Sequence, residues 1–485
     1  MPDAARIAAA SPDPAAIAAF QRRLSLLWLA IFAAPLAVAI YAALERRALH
    51  ADGANYLLRL LELERFDLAE PARRTAMVLL QAPALLAIRL GWVDLAGAGL
   101  VFCLTLELLP LLLLALCYAA LPAGRKHFFY FPLLHYLAGT LTASASPIAE
   151  SIVAAAYFWP LFYIVLFRPL RGAGFAGAVV LALPALYLHE AMGGLALALA
   201  AAAVWRAGEA GPAWRRAAFA GLALWFAAVA AIQAYNIVVP HSVANRSGLL
   251  DGLFGGWWLL GRDGEINVPA WLGLFALLAV NTAGATRAPG GHEGRAARWI
   301  AAAFAVLAAA GVALAALATT RVAPGQQFGA RVNPALLSLL LAAGTLGSFW
   351  RPARLRWWAR PVTLWVLAPL AGACLAWHAI EVGTWSRYLA IVRGVLAHER
   401  GLVAPGAIVA RLDARDRIIF RNMSWHWTFP ETSLVLAPAG KVSTIIGRER
   451  PVPWKIWDPG DPDQVPKNRF FDSSPYRAAL ARPAR

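Results

Sequence analysis

Asp52 and Tyr56 stand one helical turn apart in the stretch Glu45 to Thr75, ERRALHADGANYLLRLLELERFDLAEPARRT, the most densely charged part of an otherwise apolar chain. This stretch, with Asp52 a few residues beyond the end of an apolar span, is where chemistry is expected. Gly53 beside Asp52 lets the backbone turn sharply, and Tyr56 is an amphipathic residue suited to a bilayer interface. Leu57, Leu60, Leu61 and Leu63 recur at helical spacing with Arg59, Glu62 and Glu64 between them. This pattern predicts a helix lying on a membrane surface. The plain alternative is that Asp52 only starts that helix, since Asp is a favoured cap.

Other ionisable residues gather at turns between apolar runs. Glu150 follows TASASP, and His189 and Glu190 sit in LHEAMGG. His241, Arg246 and Asp251 share one later loop, and Gln326, Gln327 and Arg331 another. With the topology argued below, all of them fall on the face that carries Asp52, which predicts a water-filled pocket opening outward. Outer turns are also simply wet and tolerate polar residues, which is the competing reading. Glu107, deep in LTLELLPLLLL, is expected to pair with a polar residue of another helix or to stay protonated, outside any site. HEAMG lacks the second histidine of a zincin helix. The chain has neither a Gly-rich phosphate loop nor a G-x-S-x-G elbow, which argues against a nucleotide-driven pump and a serine hydrolase. Cys103, Cys117 and Cys374 lie inside apolar segments without paired spacing and read as packing residues. No metal ligand set stands out, and no motif calls for a cofactor, with a divalent metal left open.

The elements that must position these residues are membrane helices. The chain is 60% hydrophobic and 15% charged, with apolar runs near the roughly 20 residues a bilayer requires recurring along its length. The net charge of +17 would suggest nucleic acid in a soluble protein. Here the arginines occupy short loops, where they set topology and meet anionic headgroups, so membrane lipids and not nucleic acid are the expected partners. The first span, 24–44, follows Arg22 and Arg23 and has no cleavage pattern after it, so it reads as a retained helix. Further runs cover 95–121, 128–143, 147–167, 174–205, 217–237, 268–286, 299–319, 333–350 and 361–381. The long run at 174–205 contains Pro184 and LHEAMGG and is expected to be two short helices.

Charge parity orders the layout. The loops holding Arg125 and Lys126, Arg168 and Arg171, Arg206 to Arg216, Arg287 to Arg298 and Arg351 to Arg360 carry fourteen basic residues; the opposite loops carry Arg246, Arg262, Arg321 and Arg331. The first set is therefore expected in the cytoplasm. Parity then requires that Ala76 to Gly91, short and holding Pro83 and Arg89, does not cross but forms a surface or re-entrant helix. The expectation is an all-α polytopic membrane protein of about eleven spans, with surface helices in the first outer loop and a small strand-containing external C-terminal region. Its parts are a cytoplasmic tail at 1–23, a transmembrane domain at 24–381 with the outer loop at 45–94, and an external region at 382–485. In that last region Arg387 to Arg400 reads as a short amphipathic helix, and GAIVARL, RIIFRN, TSLVLAP and KVSTII read as strands. Trp425, Trp427, Trp454 and Trp457 read mainly as packing or interface anchors.

An N-terminal membrane helix, an outer loop opening with Asp52, Gly53 and Tyr56 in D-x-x-x-Y, juxtamembrane helices, many spans and an external C-terminal portion resemble the GT-C membrane glycosyltransferases. The resemblance is one of layout over about two-thirds of the chain, with a short motif. It implies a polyprenyl-phosphate-linked sugar as donor, a glycan, lipid or protein as acceptor, and Asp52 as the carboxylate that activates the acceptor on the outer face of a bacterial inner membrane. Gly53 stands where many relatives have a second acid, and the proline-rich element after the surface helices shrinks to Glu70-Pro71. Glu150 or Glu190 is then the candidate second acid. A lipid-phosphate leaving group needs cationic neutralisation, for which Arg73, Arg74, Arg246 and Arg331 are candidates; Tyr56, His189 and His241 complete the expected binding set. The competing classes are a transporter or flippase, which should show charges nearer mid-membrane and an internal repeat, and a non-catalytic subunit of a polysaccharide assembly.

Overall fold

The computed structural model describes residues 32–141, 150–169, 171–239, 303, 306, 335, 337–346, 361–447 and 457–481. His241, Arg246, Arg331, Trp454 and the apolar runs at 268–286 and 299–319 lie outside them, the isolated positions 303 and 306 apart. The helices are α1 (Phe32–Leu44), α2 (Asp52–Leu63), α3 (Arg74–Arg89), α4 (Leu95–Ala120), α5 (Tyr130–His135), α6 (Glu150–Phe167), α7 (Ala173–Ala182), α8 (Met192–Glu209) and α9 (Ala213–Val238). They continue as α10 (Leu337–Leu346), α11 (Pro361–His398), α12 (Pro405–Arg411), α13 (Ala414–Met423), α14 (Phe429–Val435) and α15 (Ser474–Leu480).

Four of the described helices, at Leu95–Ala120, Glu150–Phe167, Ala213–Ile237 and Val366–His398, are long and apolar enough to cross a membrane, and α1, Gly174–Tyr187 and α10 are shorter apolar helices. Their burial differs in a way that assigns their places. The window in α6 is 94% buried, against 39–50% in the other three. Accordingly α6 is the central helix, with Phe158, Trp159, Phe162 and Tyr163 packed ring on ring, while the others turn a side outward through residues such as Leu112 and Leu224. Outward Leu side chains on a long apolar helix are what lipid contact requires.

Several sequence expectations change. The run at 128–143 does not form one long helix over its described part, which is α5 followed by the wider-wound π turn Tyr136–Leu141. The run at 174–205 does divide: α7 stops at Ala182, a 3-10 turn with Pro184 near its start covers Leu183–Tyr187, and α8 begins at Met192. Proline has no N–H to continue an α-helix. The run after Thr75 forms α3, 16 residues with Pro83 inside; at about 24 Å it is shorter than a hydrocarbon core of roughly 30 Å.

The tail departs most. The stretch from Arg387 to Arg400 is not a separate short helix, because α11 runs unbroken over 38 residues, 361–398. At about 57 Å it is almost twice the thickness of a bilayer core. GAIVARL, RIIFRN and TSLVLAP are not strands: they fall in α12, α13 and α14. Asp413 caps α13 by accepting from the Asp416 N–H, a start signal that a period-of-two reading overlooks. Only KVSTII contributes a strand, β2 (Thr444–Ile446), paired in parallel with β1 (Gly401–Val403), Gly401 opposite Thr444.

The apolar face of α2 also has a different partner from the one expected. Leu57, Leu58, Leu60 and Leu61 are fully buried, and α2 packs on α14. The face that would rest on a bilayer is covered by the chain's own C-terminal part. Asn468 Nδ2 donates to the Leu61 carbonyl at 3.2 Å, and Arg469 donates to the Ile88 carbonyl at 2.7 Å and pairs with Glu64. The end of the chain thus holds the C-terminal ends of α2 and α3 together.

Candidate functional site

The site grows from three local features. First, Asp52 and Tyr56 begin α2 one turn apart and so share a face of it. Asp52 is the first helical residue and not the cap: Ala51 occupies that position, and no side chain closes it. Asp52 thus starts α2 as an acid in its first turn, where the helix dipole favours it, while the cap position itself falls on Ala51. The sharp turn also lies at Ala51, with φ +54° and ψ −121°, and not at Gly53, which is helical and buried. Second, the link from α2 to α3 is tied down by Arg59 to Asp67 at 2.7 Å and by the Asp67 N–H donating to Gln81 Oε1 at 2.9 Å. It delivers Arg73 at the end of the 3-10 turn Pro71–Arg73. Third, the break before α8 leaves His189 and Glu190 in a turn, buried, while the central helix α6 carries Glu150 at 2% exposure.

These features converge. Arg73 forks onto Glu190, Nε to Oε2 at 3.1 Å and Nη2 to Oε1 at 3.3 Å, and its Nη1 lies 3.5 Å from Glu150 Oε2. The Tyr56 hydroxyl donates to the other Glu150 oxygen, Oε1. The Ala191 N–H donates to His189 Nδ1 at 3.0 Å, so the ring proton sits on Nε2, which faces Glu190 Oε2 at 3.3 Å. Asp52 is close enough to Tyr56 to act on it electrostatically. One cluster thus contains Asp52, Tyr56, Arg73, Glu150, His189 and Glu190, from segments that the chain separates by up to more than a hundred residues. Arg74, next to Arg73, is exposed as the first residue of α3.

The electrostatics follow from burial and pairing. Burial alone would raise the Glu190 carboxyl, but His189, Arg73 and their hydrogen bonds outweigh it and hold the group at about 2. Burial opposes the charge on Arg73, yet Glu150 and Glu190 reverse the balance and raise its pKa. Burial, then Glu150 and Asp52, push the Tyr56 phenol well up, so it remains a donor. The Arg73 fork is filled by protein carboxylates, which fits it to hold the site's shape and leaves Arg74 as the described cation beside it with an exposed side chain. Glu150 and Glu190 have their oxygens engaged by donors and are poor bases in this arrangement. Asp52 is half-buried where Glu150 and Glu190 are buried, which makes it the most solvent-accessible of the three carboxylates.

Sequence reasoning missed a second polar group. Arg47, 1% exposed, lies within electrostatic range of Glu107, Glu381 and His378. The signal was Glu381, Arg47 and His378 themselves, ionisable residues in or beside apolar helices. Among the described residues there is no group of three or more His, Cys, Asp or Glu side chains placed to hold a metal. Trp425 packs edge-on to His50 and Trp427, and Trp457 is buried, so these are packing residues. The three cysteines are buried and free. Comparison with family models, with curated proteins and with solved structures returns no match.

Proposed function

We propose that the chain is a membrane glycosyltransferase that transfers a sugar from a polyprenyl-phosphate-linked donor to a glycan, lipid or protein acceptor at the outer face of a bacterial inner membrane. The observation that carries this reading is the cluster itself: an approachable carboxylate, Asp52, held beside a rigid frame of Tyr56, Arg73, Glu150, His189 and Glu190 where apolar helices meet a charged loop. In the reaction, Asp52 takes the proton of the acceptor hydroxyl as its oxygen bonds to the anomeric carbon. The bond from that carbon to the phosphate oxygen breaks, and the phosphate leaves with the electron pair, neutralised by Arg74 and by Arg246 and Arg331. Arg73 serves as the clamp that keeps Glu150 and Glu190 apart. The reading takes the chain as about eleven spans, with the N-terminus and the arginine-rich loops in the cytoplasm and the region beyond 382 external.

The test is Asp52→Asn in purified protein reconstituted into liposomes, given a radiolabelled polyprenyl-phosphate hexose and an envelope glycan fraction as acceptor. Loss of a positioned base lowers transfer about 10²–10⁴-fold, with the fold retained. Undiminished transfer by the variant removes Asp52 from the mechanism. A second reading, a proton-linked transporter, is favoured by the buried Arg47, Glu107, Glu381 and His378 group within the helical body. It predicts that Glu381→Gln stops solute uptake while Asp52→Asn does not.

A further inference from the structure

We infer that Glu45 to Ala51 is a strained elbow and that His50, fastened to the Met423 carbonyl, is the positioning residue that sets the first turn of α2, Asp52 and Tyr56 together, against Glu150 and Arg73. The Gly53 N–H donates to the His50 carbonyl at 3.2 Å, closing a four-residue turn whose second residue is Ala51. Its φ of +54° and ψ of −121° are those of a type II′ turn, the position that glycine normally fills because a Cβ is disfavoured there. Arg46, at the other end of the elbow, is also left-handed, with φ +56° and ψ +33°. Two such residues within six positions do not persist without outside support.

The support is visible on both sides. Trp385 of α11 donates from Nε1 to the Glu45 carbonyl at 3.0 Å, and Ser386 Oγ donates to Glu45 Oε2 at 2.6 Å. Arg46 Nη2 donates to the Ala96 carbonyl at 3.0 Å. Arg47 lies over the Trp385 ring at 5.7 Å. His50, directly before the strained residue, is buried between the edges of Trp385 and Trp425, and its Nε2 lies 3.2 Å from the Met423 carbonyl oxygen. A carbonyl only accepts, so Nε2 carries the proton. Burial and then the Arg47 charge hold the ring well below its usual pKa, which keeps it neutral. Met423 is the last residue of α13, so His50 ties the elbow to the C-terminal helices. Asp52 is two residues further on, and its direction follows the turn. A relaxed Ala51 would swing the start of α2 and carry Asp52 and Tyr56 together away from Glu150.

The inference rests on the proposed role of Asp52 only for its catalytic consequence; the elbow itself is tested without activity. Amide exchange is followed on the 46–58 peptide of the full chain in micelles for four variants. His50→Leu removes the donor at similar bulk and is expected to speed exchange about tenfold, the effect of one buried hydrogen bond lost with its acceptor left unpaired. His50→Gln can still donate to Met423 and should stay within about twofold of the parent. Ala51→Gly relieves the turn and should slow exchange about fivefold, and His50→Leu with Ala51→Gly should return close to the parent. Unchanged exchange in His50→Leu, equal effects of Leu and Gln, or faster exchange in Ala51→Gly each overturn the elbow. In the transfer assay His50→Leu should lower kcat with KM unchanged, and Ala51→Gly should restore it. If Asp52→Asn is silent in the transfer assay while the exchange pattern holds, the proposed role of Asp52 falls and the elbow stands. If His50→Leu does not fold, the Gln and Gly variants decide alone.

Discussion

Replacing Arg73 by Met leaves two buried carboxylates facing each other without their shared cation. The wild-type geometry sets the size of the effect. Glu190 moves from 4.5 to about 2 on folding, and each pKa unit is worth about 1.4 kcal/mol, so this one group contributes on the order of 3 kcal/mol. Breaking a buried ion pair by removing one partner costs about 3–5 kcal/mol, the same range. Side-chain exposures of 15% for Arg73, 2% for Glu150 and 11% for Glu190 keep solvent from screening the loss. Because the folded pKa is depressed, the stabilisation is present in full above about 4.5 and disappears as pH falls through about 2. Denaturant unfolding of purified protein in micelles, read by tryptophan fluorescence at a series of pH values, should therefore show Arg73→Met less stable by about 3–5 kcal/mol at pH 7, with the gap closing below pH 4.5. A gap that is independent of pH, or one below about 1 kcal/mol at pH 7, refutes the clamp.

Three other outcomes follow from the same structure. Tyr56→Phe removes the phenol's bond to Glu150 and should cost about 1.5–3 kcal/mol in the same unfolding assay, with little further loss when added to Arg73→Met. Burial, helped by Glu431 and opposed by Arg59, lifts the Glu62 carboxyl to about 7; a raised acid destabilises the fold as pH rises from about 4.5 to about 7, so Glu62→Gln should leave stability unchanged at pH 4.5 and increase it at pH 8. The Arg387 to Asp416 pair, although forked at 2.8 and 2.6 Å, has its Arg 57% exposed, and Arg387→Gln should change stability by less than about 1 kcal/mol.

Hydropathy located the four described helices that are long and apolar enough to cross a membrane, although it ended the last at 381 where α11 runs on to His398, and it read 128–143 as a span that the structure breaks. It also located the break at Pro184, because a proline's missing N–H acts locally. The short tail helices were not legible: GAIVARL and TSLVLAP are apolar runs that fit either period, the first becoming a mostly exposed helix opened by Pro405 and the second a helix buried along its whole length. Likewise α2 has the amphipathic pattern of a membrane-surface helix, and pattern alone cannot tell a lipid face from a face covered by α14.

Residue types and their places at turns singled out Asp52, Tyr56, Arg73, Glu150, His189 and Glu190, which the structure brings into one cluster, because ionisable groups are costly beside apolar spans and few positions tolerate them. Tertiary structure alone decided their roles. Which carboxylate Arg73 holds depends on a residue 117 positions away, and the elbow that turns at Ala51 and not at Gly53 is tied to Trp385 and Met423; the His189 tautomer is set locally by the Ala191 N–H. A fork of hydrogen bonds and an elbow held at positive φ are each fixed by distances between separate segments, and those distances exist only once the helices have packed.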